Sequence, residues 1–145
     1  MQLSPHFALG EFTRSQAARN RGLSNEPGSA HLANLSALAQ FLEEIRALVG
    51  RTVIITSGYR SPAVNAAVGG VENSAHALGH AVDIRVHGIS ALDLARRIRD
   101  SGLRFDQLIL ETGRGVVHLS RDPRLRQQVL RQPNGPGTRV FPGLE

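Results

Sequence analysis

Between residues 30 and 49 the apolar positions Leu32, Leu35, Leu38, Ala39, Leu42, Ile45, Leu48 and Val49 recur at steps of three and four. That is the period of a helix with one buried face, and Gly50 supplies its stop. The pattern then changes. Residues 52–57, TVIITS, are rich in β-branched side chains and bounded by Gly58, which predicts a buried strand. SPAVNAAV predicts a short helix with Pro62 in its first turn, and Gly69-Gly70 through Ser74 a loop. AVDIRV, residues 81–86, predicts a second strand, and Ser90 caps a helix over ALDLARRIRDSG that ends near Gly102. FDQLILE and GVVHLS predict a hairpin closed by Thr112-Gly113-Arg114.

The two ends carry less pattern. Residues 1–30, with the turn formers NRGLSNEPGS, predict a loop and a helical turn wrapped on the core. After Pro123, LRQQVL fits either a last strand or a short helix, and strand is the preferred reading. The turn-rich tail offers Val140, Phe141 and Leu144 for docking back. The sum is a single α+β domain spanning residues 1–145, with helices against a mainly antiparallel sheet.

Strand parity separates a core side from a chemical side. In AVDIRV, Val82, Ile84 and Val86 point one way and take the core, while Ala81, Asp83 and Arg85 point the other, so that Asp83 faces a cleft. In GVVHLS, His118 shares its face with Val116 and Ser120, and in FDQLILE, Glu111 shares its face with Gln107 and Ile109. If these strands are neighbours, their polar faces meet.

Composition narrows the chemistry further. With no cysteine, a disulfide framework and a thiolate metal site are both excluded, so any metal must be held by nitrogen and oxygen. No run approaches the ~20 apolar residues of a membrane span, and no stable membrane association is expected. The N-terminus has no basic segment followed by an apolar one. Synthesis in the cytoplasm without a signal peptide is expected. All 17 basic residues are arginine and the isoelectric point is near 11.3. That balance suits an anionic partner such as cell-wall polymer, and equally a merely solvated basic surface. Nucleic acid is not expected, because the arginines are scattered and few aromatics are present for base stacking.

The segment SAHALGHAVD and the lone histidine of VHLS contain His76, Asp83 and His118. Catalytic zinc takes three such protein ligands at ~2.0–2.2 Å and keeps a fourth position open. A bare His-x6-Asp pair is weak support, since such spacings arise by chance. His80 falls on the core parity if the strand begins that early, and is assigned a supporting or surface place. His6, His31 and His87 lie outside any pattern and are expected at the surface. Arg60 follows a strand and a glycine turn, where a fixed guanidinium can bind a substrate carboxylate or carbonyl. Ser74 either bonds substrate or braces its loop. Gly58, Gly79 and Gly69-Gly70 suggest unusual backbone angles or close approaches.

Taken together, SGYRSP with the following Asn65 and Gly69-Gly70, Ser74-x-His76, Gly79-x-Ala81-x-Asp83, FDQLILE and VHLS resemble the zinc peptidases of peptidase family M15. Those are D-alanyl-D-alanine carboxypeptidases and peptidoglycan endopeptidases that share a metal-site architecture with the hedgehog signalling domain. The resemblance runs from about Phe12 to the C-terminus and is nearest to short, phage-type members. It implies one zinc per chain on His76, Asp83 and His118, a substrate role for Arg60, and peptidoglycan stem peptide as substrate; a monomer is expected. Holin-dependent release would bring such a protein to the wall. Many members place an acid three positions before the last zinc ligand, where this chain has Gly115. Glu111, seven positions before His118, is the replacement candidate for the general base. The missing acid also keeps open a zinc-stabilised wall-binding or phage structural module on the same fold.

Overall fold

The computed structural model describes every residue except Asn73 and Pro136, which fall in the expected 69–74 loop and in the tail. The first 30 residues are more ordered than expected. Strands β1 (Gln2–Ser4) and β2 (Phe7–Ala8) form a small ribbon, followed by the short helices α1 (Leu9–Thr13) and α2 (Gln16–Arg21). The ribbon is tied to the long helix α3 (Ser29–Val49) through Glu43, whose carboxylate accepts from Ser4 Oγ at 2.6 Å and His6 N at 2.7 Å. Runs this short leave no periodicity to read.

Helix α3 buries Leu35, Leu38, Ala39, Leu42, Ile45 and Val49 of the predicted stripe, and also Phe41, which the stripe did not include; Leu32 is half-buried and Leu48 is exposed. The chain continues through β3 (Val53–Ser57), α4 (Pro62–Ala67), α5 (Ala75–Leu78), β4 (Ala81–Val86) and α6 (Ala91–Asp100). It closes with β5 (Gln107–Glu111), β6 (Val116–Ser120), β7 (Gln128–Arg131) and β8 (Phe141–Pro142). Ser61 and Ser90 cap α4 and α6 by accepting from Val64 N and Asp93 N.

The main sheet runs in the order β3-β4-β6-β5-β7-β8 and is antiparallel throughout except for the β5–β7 pair. LRQQVL thus contributes a strand, but one parallel to β5. Helices α3 and α6 cover one face of the sheet. There Val82, Ile84 and Val86 of β4, Val117 and Leu119 of β6, and Leu108 and Leu110 of β5 join the helix side chains in one core. Of the three tail residues expected to dock, Phe141 pairs through β8 and Leu144 is buried in the core, while Val140 stays exposed. Among the described residues no helix is long and apolar enough to cross a membrane.

Candidate metal centre

With the core side chains committed to the helices, the opposite face of the same strands is free to carry chemistry. The register puts Asp83 of β4 directly opposite His118 of β6, and His118 opposite Ile109 of β5. Glu111 lies one pleat along β5 on the same face. On the other side of β4 the pairing slips between Ile55 and Ser57, so that Ser57 sits opposite Asp83. Thr56 Oγ1 donates to the Asp83 carbonyl at 3.2 Å.

His76 arrives from a different element, the single turn α5, which the sequence pattern did not predict. Ser74 caps that turn by accepting from Ala77 N at 3.2 Å, which is the bracing role of the two considered for it. Gly79 ends the turn in the left-handed region at φ 82°, and a Cβ there would lie 2.9 Å from the His31 carbonyl of α3. Asn34 Nδ2 of α3 donates to the Leu78 carbonyl at 2.8 Å, so the long helix clamps the turn that carries His76.

The loop SGYRSP is held just as firmly. Gly58 packs so close to α1 that a Cβ would meet the Phe12 carbonyl oxygen at 2.5 Å. Tyr59 N donates to that oxygen, and Asn25 bridges Thr13 O, Tyr59 O and Ser61 N. His31 is therefore not a plain surface residue, because its Nδ1 bonds the buried Tyr59 hydroxyl at 2.9 Å. His6 and His87 are exposed as expected, and His80 lies just outside β4, with its backbone carbonyl accepting from Arg121 N.

These elements bring His76, Asp83 and His118 together with one ligand atom from each within 4.8 Å of the others. Asp83 Oδ1 is 3.4 Å from His76 Nε2 and 3.2 Å from His118 Nδ1. A tetrahedral ion with bonds of ~2.0–2.2 Å has edges of roughly 3.3–3.6 Å between ligand atoms, so the two spacings to Asp83 are close to those of a zinc site. The hydrogen bonding fits too. His76 Nδ1 lies 2.7 Å from the Gly58 carbonyl, which only accepts, so Nδ1 carries a proton and Nε2 is the atom turned to Asp83. A neutral Nε2 would aim its lone pair at a carboxylate oxygen. Only a positive charge at that point, a proton or a metal ion, makes the arrangement favourable.

A cleft of about 360 Å³ opens over this group, lined by Ser57, Arg60, Glu111, Arg114, Gln132 and Gly137 besides His76, Asp83 and His118.

 
Glu111 is buried, and burial raises its carboxyl above the usual value; the Asp83 charge adds to that, while Arg114 and His118 work against it. Burial alone would also raise Asp83, but hydrogen bonds from His118 and His76, with their charge, more than reverse it and hold Asp83 far below the usual carboxylate range. Arg60 reaches the cleft from the SGYRSP loop, its backbone N donating to the His76 carbonyl at 3.3 Å. Its Nε is buried with no hydrogen-bond partner among the described residues. Burial lowers the Arg60 guanidinium, the Asp83 charge opposes this, and Arg114 adds to it.

Residues 5–120 match the family described as Peptidase M15. The chain belongs to that family. It is a family of zinc-dependent peptidases, and the His76–Asp83–His118 group supplies a place for a metal ion in this member. The mixed fold with its largely antiparallel sheet agrees with membership. No curated protein matches the chain.

Sequence reasoning missed Arg114, read only as a turn residue. Its Nη2 lies 3.3 Å from Asp83 Oδ2 and its Nη1 lies 3.2 Å from Glu111 Oε1. The available signal was its spacing three residues after Glu111 in a tight hairpin, which turns both side chains to one side. Gly115, the position where the resemblance leads one to expect an acid, adopts φ 65° at the end of that turn. An acidic side chain there would have to accept left-handed backbone.

Proposed function

We propose that the protein is a zinc-dependent peptidase that hydrolyses peptide bonds in peptidoglycan stem peptides, acting as a monomeric cell-wall endopeptidase of the phage or prophage type. The observation that carries the reading is the convergence of His76, Asp83 and His118 on one point of an open cleft, with His76 oriented by the Gly58 carbonyl. These three residues would hold the ion. When bound, zinc supplies a Lewis acid that acidifies water and polarises a carbonyl.

The remaining work falls to the cleft's own side chains. Glu111 takes a proton from the attacking water and returns it to the leaving amine; its raised carboxyl pKa brings it nearer the operating pH of a general base. Arg60 lines the cleft and binds the substrate's carboxylate or carbonyl through its guanidinium, offsetting negative charge as it develops. Ser74 holds the His76 turn in place.

Gly115 favours one alternative, a zinc-stabilised wall-binding or phage structural module without catalysis. Incubating purified sacculi with the zinc-loaded protein and identifying released muropeptides by mass spectrometry separates the two. The peptidase reading expects new peptide termini that a chelator abolishes. His118→Ala should lose both metal and cleavage, whereas Glu111→Gln should keep the metal and lose ~10²–10⁴-fold in turnover. Stoichiometric zinc with intact sacculi would establish the binding module instead, and a wild-type protein that takes up no zinc would refute both.

A further inference from the structure

We infer that Arg114 is a positioning residue of the metal centre, one that keeps Asp83 a single-oxygen ligand and ties it to Glu111. The inference rests on the zinc-peptidase reading of the site. Asp83 has two oxygens with different partners. Oδ1 faces His76 Nε2 at 3.4 Å and His118 Nδ1 at 3.2 Å, while Oδ2 is turned to Arg114 Nη2 at 3.3 Å. The other arm of the same guanidinium, Nη1, is 3.2 Å from Glu111 Oε1.

An exposed ion pair of this kind contributes little to stability, and Arg114 is 37% exposed. Its partners are not exposed: the side chains of Asp83 and Glu111 are 5% and 7% accessible. One half-open guanidinium therefore caps two buried carboxylates. That arrangement restrains Asp83 in a specific way. A carboxylate whose second oxygen is engaged offers one oxygen to an ion, whereas a free carboxylate can chelate with both and occupy the position that a catalytic site leaves open.

The hairpin explains why this side chain is available. Arg114 N donates to the Glu111 carbonyl at 3.1 Å and Gly115 N to Thr112 O at 3.3 Å, so the turn lifts the arginine directly over the ends of β5 and β6. Two planar N–H groups then reach two carboxylates at once. A lysine ammonium carries the charge but lacks that fixed fork.

Cobalt(II) titration of the wild type, Arg114→Ala and Arg114→Lys tests the role, because four-coordinate cobalt absorbs visible light far more strongly than five- or six-coordinate cobalt. The wild type should bind one ion with the intense spectrum. Both variants, altered only in an exposed turn, should show the weaker one, and zinc affinity measured by chelator competition should fall ~10–100-fold. Wild-type spectra and affinity in both variants would overturn the inference while leaving the zinc site standing. A lysine variant that retains both would overturn the requirement for the fork. Failure of the wild type to take up cobalt or zinc would instead remove the zinc reading, and this inference with it.

Discussion

Replacing Gly58 with alanine should damage both the fold and the metal centre, although residue 58 would not touch the ion. The new Cβ would stand 2.5 Å from the Phe12 carbonyl oxygen, 2.9 Å from its Cα and 3.1 Å from its carbonyl carbon. All three are backbone atoms, so no flexible side chain can give way. Either α1 retreats from the SGYRSP loop or the loop retreats from α1. The first movement opens the packing around the fully buried Phe12 and breaks the Tyr59 N bond to Phe12 O. The second shifts the Gly58 carbonyl that holds His76 Nδ1 at 2.7 Å. Overpacking of this kind costs ~1–3 kcal/mol, equivalent to a fall of about 2–4 °C in Tm per kcal/mol for a chain of this size. Disturbing a hydrogen bond that orients a metal ligand costs ~10–100-fold in affinity. Denaturant unfolding in chelator reports the first quantity, and zinc competition with a chromophoric chelator the second. Gly58→Ala with wild-type stability and wild-type zinc affinity would refute the argument that this glycine is present for close approach.

Two further substitutions separate stability from chemistry. Leu42→Ala removes a fully buried side chain of α3 and should cost ~2–5 kcal/mol, while zinc stoichiometry of the folded protein stays unchanged; loss of metal from a folded variant would show that the core and the cleft are not separable. Asp106 is buried beneath Arg126, whose N, Nε and Nη2 all donate to its carboxylate at 2.8–3.0 Å. Those bonds lower its pKa from the ordinary 3.8, with burial opposing. A folded-state pKa below the unfolded one stabilises the protein above that value, and the contribution is lost as pH falls through 3.8 toward the folded pKa. Asp106→Asn should therefore lower the unfolding midpoint at neutral pH, and the gap to wild type should narrow below pH 3.8; a gap that is constant with pH would refute the ionic account.

The strands and the two longer helices were legible because each has a period that its burial enforces. β4 shows this most clearly, with Val82, Ile84 and Val86 in the core and Asp83 on the opposite face, as parity requires. Parity on three separate segments was enough to bring Asp83, Glu111 and His118 to one cleft. His76 could be placed there only by resemblance, because the four residues of α5 are too few to show a period and their position depends on Gly79 and on the clamp from α3. The N-terminal region was underestimated for a related reason. Its elements are short, and their purpose lies in distant contacts such as Asn25 to Tyr59 and Ser61. The parallel pairing of β7 with β5 is likewise a choice between sheet edges that local pattern does not encode.

The charges that line the cleft place a constraint on its chemistry that no single residue shows. Two arginines, Arg60 and Arg114, face two carboxylates, Asp83 and Glu111, so with neutral histidines the ionised side chains cancel in number. A divalent cation seated among His76, Asp83 and His118 therefore leaves the cleft with a net positive charge. That is a poor arrangement for sequestering a structural ion, which is better matched by ligands that neutralise it. It suits a site where negative charge appears on a substrate oxygen during reaction, since fixed positive groups then stabilise that charge without having to reorganise. Arg114 and Arg60 divide the task by position. The former is committed to the carboxylates on the floor of the cleft, while the latter lines the cleft from the SGYRSP loop and has no ion-pair partner among the described residues. That division agrees with the roles proposed for them, Arg60 toward a substrate and Arg114 in holding the shape of the site.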